Sequence, residues 1–580
     1  MLRTAPFRLI LICLTGLLTT TQLAAQEGPL EAYVHQPDPA YGYQLVGQLP
    51  GGDFDAYFLN MNSQNWRSSD EVTPTLWNHW VTLIVPHNLT SDTANLIITG
   101  EKFSTTPPSP EDLALYLPLA TYTGSIQVVV QQIPAQPVQF VDQDQPTLED
   151  TIVSLSWRKS MQTGDPTWAV MLPMTKAAVR AMDTAQDYLN GTLGLGIEHF
   201  IATGFSKQGA IAWLTAAVDP RVTAVVPGEF NILHIAEQLE HHYNSYGFYS
   251  EALAGYVANG ITDNIRSPEG KTLANLVDPI NYRHALNMPQ LVINVTGDEF
   301  FLPDASRYYI HEFPGETLQR ILPNTNHGFT GKLEEMLMGL IAWYQAQLYG
   351  FDRPVINSYL DEHGQLVVSS DPLPLQAKLW QATNPDARDF RHPIVGASAW
   401  SDSTIQTDQD GVFRVHLDPP ENGFTGYLVE LTYPGISEIP QVYTTSVYIT
   451  PDVEPFDRND PLGNPRTPRN WQRQVDRALA DRPLDYDRDA LQAMLPIRVL
   501  GEYLTTPEDL AANLDQVGAK RNCTAARMNV QAHELGWYTT LYSVGEQQIK
   551  FWQPYDWAEQ FYSQGHPGLA AGICQVLTRP

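Results

Sequence analysis

The sequence predicts an α/β protein: a doubly wound, largely parallel sheet, with a helical lid insertion, followed by a small β-sandwich and a mixed C-terminal segment. Two observations carry this. Between about residues 95 and 350, short apolar runs alternate with helix-forming stretches, the order that parallel strands joined by crossover helices produce. At YGFDRPVIN the rhythm stops, and from 355 to about 450 only strand-like pieces follow, separated by DEHG, DQDG and ENG turns. A chain of 580 residues also exceeds what one hydrophobic core supports.

Taken in order, the chain opens with MLRTAPFRLILICLTGLLTTTQLAAQEG. Arg3 and Arg8 precede an apolar run, and Leu23-Ala24-Ala25 offers a cleavage site before Gln26, the pattern of a secretory signal peptide over 1–25. A membrane anchor is the competing reading, but threonines and Gln22 break the apolar run well short of the ~20 residues a spanning helix needs. No later stretch is long and apolar enough to span a bilayer, so no integral membrane association is expected. The formal charge of −30 becomes more negative once the two arginines leave, and such a surface repels nucleic acid and anionic membranes. After loss of Cys13, only Cys523 and Cys574 remain, and in an exported chain two cysteines predict a Cys523–Cys574 disulfide, with two unpaired thiols as the alternative.

YGYQLVGQ, FDAYFLNMNSQNW and WNHWVTLIVP read as aromatic-rich strands, and NLIITG (95–100) and SIQVVVQQIP (125–134) as strands buried on both faces. Between the last two, SPEDLALYLP reads as a helix capped by Ser109. A helix is predicted over about 168–188, then strand EHFIATG, helix SKQGAIAWLTAAV and strand RVTAVVP. Residues from about 230 to 278 form a helical, aromatic insertion. The alternation resumes with PQLVINVTGDE, a helix after Pro303, LQRILPNTNH and the helix KLEEMLMGLIAWYQAQL, giving one unit over 26–350. The β-sandwich spans 351–455. A proline-rich linker and a mixed segment with two helices (WQRQVDRALA and TTPEDLAANLDQV) occupy 456–580.

Ser206 lies between a buried strand and a helix, flanked by Gly204 and Gly209. On a sharp strand-to-helix turn its hydroxyl would stand clear of the sheet, facing helix N-terminal amides. The stretch GFSKQG departs from G-x-S-x-G at Gln208, and a serine merely capping the helix is the alternative. A nucleophilic serine needs a base and an orienting acid. Asp298 follows LVINVTG and His327 follows LQRILPNTN, the chain order and strand-end placement of an α/β-hydrolase. Asp304 and Glu299 are weaker candidates for the acid, and Asp219 is expected to end its helix. The Lys207 amide is the first expected oxyanion donor, with a second near Glu101 or Lys102. The Lys207 side chain would meet an acidic substrate or pair with a nearby carboxylate.

At these residues the chain resembles the PhoPQ-activated pathogenicity-related protein family. GFSKQG is followed by Trp213-Leu214-Thr215, Asp219-Pro220-Arg221-Val222 and Pro227. GDEFFLPD, the N-x-x-H approach to His327, LWQATNPDARDFR, MNSQNW and WNHWVTLIVP fit as well. The resemblance covers about residues 30 to 450. It implies an α/β-hydrolase core akin to serine peptidases and esterases, placed outside the cytoplasm, with Ser206, Asp298 and His327 in the triad. It names no substrate.

The expected reaction is acyl transfer on a peptide or ester bond without a cofactor. A hydrolase-fold binding or signalling protein of weak or no activity is the alternative. Tyr243, Tyr246, Phe248 and Tyr249 would line a pocket or pack as a plain lid. Glu229 and Glu237 are the candidate anchors for a peptide N-terminus. His234, Glu237 and His241 fall on one helical face with spacing a zinc ion tolerates, but solvated histidines are the better reading and no metal is expected. The sequence gives no oligomeric state.

Overall fold

The computed structural model describes residues 28–458, apart from 102 and 409, together with a β-hairpin of strands Trp537–Val544 and Gln547–Pro554. The signal segment, the two C-terminal helices and the Cys523–Cys574 pair lie outside the described residues.

Nine strands form the central sheet: β1 Gly42–Pro50, β2 Phe54–Asn65, β3 Leu76–Pro86, β4 Thr93–Ile98, β5 Gln127–Val130, β6 His199–Phe205, β7 Val222–Gly228, β8 Gln290–Val295 and β9 Thr317–Leu322. Their order is β1-β2-β3-β5-β4-β6-β7-β8-β9. The first three pair antiparallel and β3 meets β5 antiparallel, while β5 through β9 run parallel. This is the α/β-hydrolase arrangement that the alternating pattern predicts. Alternate residues of the parallel strands feed two apolar layers. Leu96, Ala202 and Val292 face the helices Met171–Gly191 and Lys207–Val218, whereas Ile97, Ile201 and Ile293 face Trp343 and Tyr344 of the helix Leu333–Tyr349.

Three local expectations are corrected. Within SPEDLALYLP only a 3-10 turn forms, Glu111–Leu113, and Asp112 accepts from the Ser109 amide instead of Ser109 capping a helix. The α-helix starts later, Leu117–Thr123, with Pro118 in its first turn. After Pro303 there are two 3-10 turns, Ala305–Tyr308 and Ile310–Glu312, and no α-helix. Asp304, Ala305, Ser306, Tyr309 and Ile310 are all buried, so packing from several sides overrides the helical pattern there. A helix that the sequence reading passes over, Glu149–Thr163, packs beside the insertion helix Pro268–Val277.

Residues 355–450 form two antiparallel sheets, one of three strands and one of five. Leu366, Val368, Leu431 and Tyr443 of these sheets share one apolar cluster with Leu318 and Leu322 of β9. Side chains close the exposed edge of the central sheet: Thr444 Oγ1 accepts from the Ile321 amide at 3.0 Å, and Arg320 donates to Glu430 at 2.6 Å. An open edge strand invites foreign pairing, and this one is covered.

Two buried arginines add polar clamps. Arg388 donates to Asp304 at 2.7 Å and to Ser245 at 2.7 Å; both members of the ion pair are fully buried. Arg391 binds Glu251 at 2.6 Å and Asp389 at 2.7 Å. Such pairs add little net stability against an apolar substitute, but removing one partner strands a buried charge. Arg388→Ala is therefore expected to lower stability by about 3–5 kcal/mol, read from the denaturant midpoint of the full chain.

Candidate active site

The serine turn is built from close contacts. β6 ends at Phe205 and the next helix starts at Lys207, leaving Ser206 between them at φ 58°, ψ −133°. Its amide donates to the Gly228 carbonyl at 2.9 Å, and its carbonyl accepts from the Gly209 amide at 2.8 Å. A Cβ on Gly204 would stand 2.2 Å from the Gln208 carbonyl oxygen, and one on Gly209 would stand 2.5 Å from that of Gly228. Both positions therefore need glycine, but position 208 does not. The Gln208 side chain donates to the Ile133 carbonyl at 2.7 Å and lies against Gly100, bracing the loop after β4 against the serine's helix. The departure from G-x-S-x-G thus has a structural reason. Ser206 makes no side-chain capping bond, which removes the capping alternative.

Asp298 and His327 come together, each just past the end of its strand. Asp298 Oδ1 accepts from the amides of Phe300 (2.7 Å) and Phe301 (3.2 Å), and Oδ2 meets His327 Nδ1 at 2.8 Å. The proton on Nδ1 faces the carboxylate, so in the neutral ring Nε2 is the acceptor. The His327 amide is held separately, by Glu299 Oε2 at 3.1 Å. Burial alone would lower the imidazole's pKa, but Asp298 and Glu229 outweigh it and raise it to about 9. Phe300 and Phe301 both pack on the imidazole, with centroids 4.5 and 5.9 Å away. The same two rings line a cavity that reaches Ser206.

The other acids have different work. Asp304 binds Arg388 and His241, and these cations hold it well below the usual carboxylate range despite full burial. Asp219 forks with Arg221. Glu299 braces the histidine's backbone. Lys207's side chain pairs with Glu149 at 2.7 Å, with Asp150 at 4.0 Å. Burial pushes the ammonium down, and the two acids more than offset it. Of the loop expected to give the second oxyanion donor, Glu101 takes φ 80° and binds Gln131, while Lys102 lies outside the described residues.

His234, Glu237 and His241 each face a different partner. His234 pairs with Glu312, Glu237 with Arg266, and His241 with Glu454 and Asp304. Glu237, paired at the surface, is no anchor inside the pocket. Among the described residues, the grouping with metal-ligand spacing is Glu229, Asp298 and His327, whose ligand atoms fall within 4.8 Å of one another.

The cavity at Ser206 is small, about 40 Å³. Its walls are mainly apolar, including Trp157, Phe230, Leu239, Ile261 and Phe301, with Lys207 and Asp150 on one side. Tyr243, Tyr246 and Tyr249 are buried against His242 and one another and do not appear in its lining, so these rings pack as a lid. Trp157 and Asp150 come from the helix Glu149–Thr163. Its signal was present in the acidic first turn and apolar run of LEDTIVSLSW.

The model of the family described as PhoPQ-activated pathogenicity-related protein matches residues 30–391. Autocrine proliferation repressor protein A of Dictyostelium discoideum is 30% identical over 454 residues, 74% of this chain and 91% of the relative. Among solved structures, an acetyl xylan esterase from Paenibacillus sp. R4 is 14% identical over 54% of this chain and 92% of its own, with a TM-score of 0.40. A glucuronoyl esterase from Solibacter usitatus is 14% identical over 55% and 90%, with a TM-score of 0.34. The fold assignment rests on the strand order itself. No helix among the described residues is long and apolar enough to cross a membrane.

The raised pKa of His327 makes a signed prediction. Below about pH 6.5, the ordinary histidine value, the ring is charged in the folded and unfolded chain alike, and its full stabilisation by the carboxylates is present. As pH rises through about 9 the folded ring also loses its proton and that stabilisation goes. The stability advantage of the wild type over His327→Gln, from paired denaturation curves, should be largest below pH 6.5 and shrink steadily towards pH 9.

Proposed function

The chain belongs to the PhoPQ-activated pathogenicity-related protein family, and from that premise we propose that it is an exported serine hydrolase that cleaves ester or peptide bonds by acyl transfer. The observation that carries this reading is the Asp298–His327 pair, 2.8 Å apart, joined through Phe300 and Phe301 to the pocket of a serine on a strained turn. Export follows from the sequence pattern over residues 1–25.

In this mechanism His327 Nε2 takes the Ser206 proton as Oγ attacks the substrate carbonyl, and Asp298 steadies the resulting imidazolium. The oxyanion is held by the Lys207 amide and by a second amide from the loop after β4. The imidazolium then gives its proton to the leaving group, and water releases the acyl group by the same route. The pocket's apolar walls and small volume favour a short aliphatic group next to the scissile carbonyl. Lys207 is buried and committed to the exposed Glu149 within the protein, so the lysine is not a receptor for an acidic substrate.

A second reading keeps the fold and drops the chemistry. The Dictyostelium relative carries the name of an autocrine proliferation repressor, so a signalling role is the reading to test against hydrolysis. Hydrolysis of p-nitrophenyl esters of increasing acyl length separates the two. The hydrolase reading expects turnover that Ser206→Ala and His327→Ala each reduce by at least about a thousandfold. It also expects kcat/KM to climb with pH towards about 9, as His327 becomes neutral. Turnover that survives Ser206→Ala would overturn Ser206 as the nucleophile, and none from folded protein across esters and peptides would favour the signalling role.

A further inference from the structure

Glu229 follows directly on β7, the strand beside the serine's own. Its backbone sits at φ 48°, in the left-handed region that long L side chains enter only where the surroundings impose it. The amide donates to the Ile293 carbonyl at 2.7 Å, so the neighbouring strand fixes this kink. Glu229 is 2% exposed, and its Oε1 has no hydrogen-bond partner among the described residues. Burying a carboxylate with an unsatisfied oxygen is unfavourable. Backbone strain, burial and an unsatisfied oxygen thus coincide at one residue, and a carboxylate oxygen there lies within 4.8 Å of a ring nitrogen of His327 and a carboxylate oxygen of Asp298.

We propose that Glu229 is a positioning residue, a second carboxylate that supports the His327 imidazolium through charge while Asp298 holds the ring by its hydrogen bond. The inference rests on the Ser206 hydrolase reading. When His327 takes the serine's proton, positive charge arises within reach of two acids, one bonded to the ring and one not. The electrostatics run the same way. Burial holds Glu229 well above the usual carboxyl range; the histidine's charge opposes that shift only in part, and Asp298 and Glu299 add to it, while the acids raise His327. Each group of the pair therefore favours the other's charged form. The remaining acid facing His327 is Glu299, which is tied to the ring's backbone amide and ranks below Glu229 in its influence on the ring.

The test is the His327 titration followed by NMR on isotopically labelled full-length protein, assigned by comparison with His327→Gln. Glu229→Gln preserves shape and removes the charge. It should lower the His327 pKa by about one pH unit or more, as expected for loss of an opposite charge within ~4–6 Å. Glu299→Gln should lower it less. In the kinetics, the acid limb of kcat/KM should move to lower pH by the same amount in Glu229→Gln, with kcat at its plateau reduced about tenfold and KM little changed. Glu229→Ala controls for packing: it should shift the titration as far as Glu229→Gln does. A shift confined to the alanine variant, or an unmoved titration in folded Glu229→Gln, would overturn the proposal. The titration needs no turnover, so an inactive wild type would count against the hydrolase reading without deciding the fate of Glu229.

Discussion

Six residues, Gly204 to Gly209, are the constraint on which the rest of the site depends. Holding Ser206 at φ 58°, ψ −133° costs roughly 1–3 kcal/mol, and the conformation survives because its neighbours leave no alternative. The strand before it is locked between β4 and β7, the helix after it presses on Gly204 and Gly228, and Gln208 reaches across to Ile133. These contacts fix where the helix starts after the serine. They also fix β7, whose next residue is the strained Glu229. Relaxing the turn would disturb Ser206, the Lys207 amide and Glu229 together.

The acid and base depend on a different junction. Gly297 is where three segments meet: its amide donates to the Thr325 carbonyl at 3.1 Å, and its carbonyl accepts from the His392 amide at 2.8 Å. A Cβ there would stand 2.7 Å from the Thr325 oxygen and 2.8 Å from His392. The loop bearing Asp298, the loop bearing His327 and the end of ARDFRH are thereby held in register. Arg391 continues the same segment into the insertion through Glu251, while Ser250 binds the Glu299 carbonyl. The C-terminal sheets therefore cover one edge of the central sheet and also steady the pair that would activate the serine. This gives the ARDFR stretch a physical role as the tie between β unit, lid and acid loop.

What the sequence could show, and what it could not, follows from the range of the forces involved. The central strands are apolar on both faces and lie between helices with clear periodicity, so local pattern alone places them. Ser206, Asp298 and His327 stand out as candidates in the sequence because each follows such a strand, where the fold offers few positions. Glu229 follows a strand too, but nothing local distinguishes it from a loop glutamate; its burial depends on β8 and on loops some 70 to 100 residues away. The turns after Pro303 failed for a related reason. Their pattern suits a helix, and the pull of Arg388 and His241 on Asp304 comes from distant segments. The reason for Gln208 is likewise invisible until Gly100 and Ile133 are seen beside it.

The account's central claim is that the turn, His327 and Asp298 together make Ser206 a nucleophile. Reaction with a fluorophosphonate, followed by mass-spectrometric mapping of the modified peptide, tests it most directly, because the reagent requires an activated serine and no knowledge of the substrate. One adduct is expected, on Ser206, whose formation slows sharply in Asp298→Ala and is absent in Ser206→Ala. An unmodified Ser206 in folded protein whose pocket admits the reagent would contradict it.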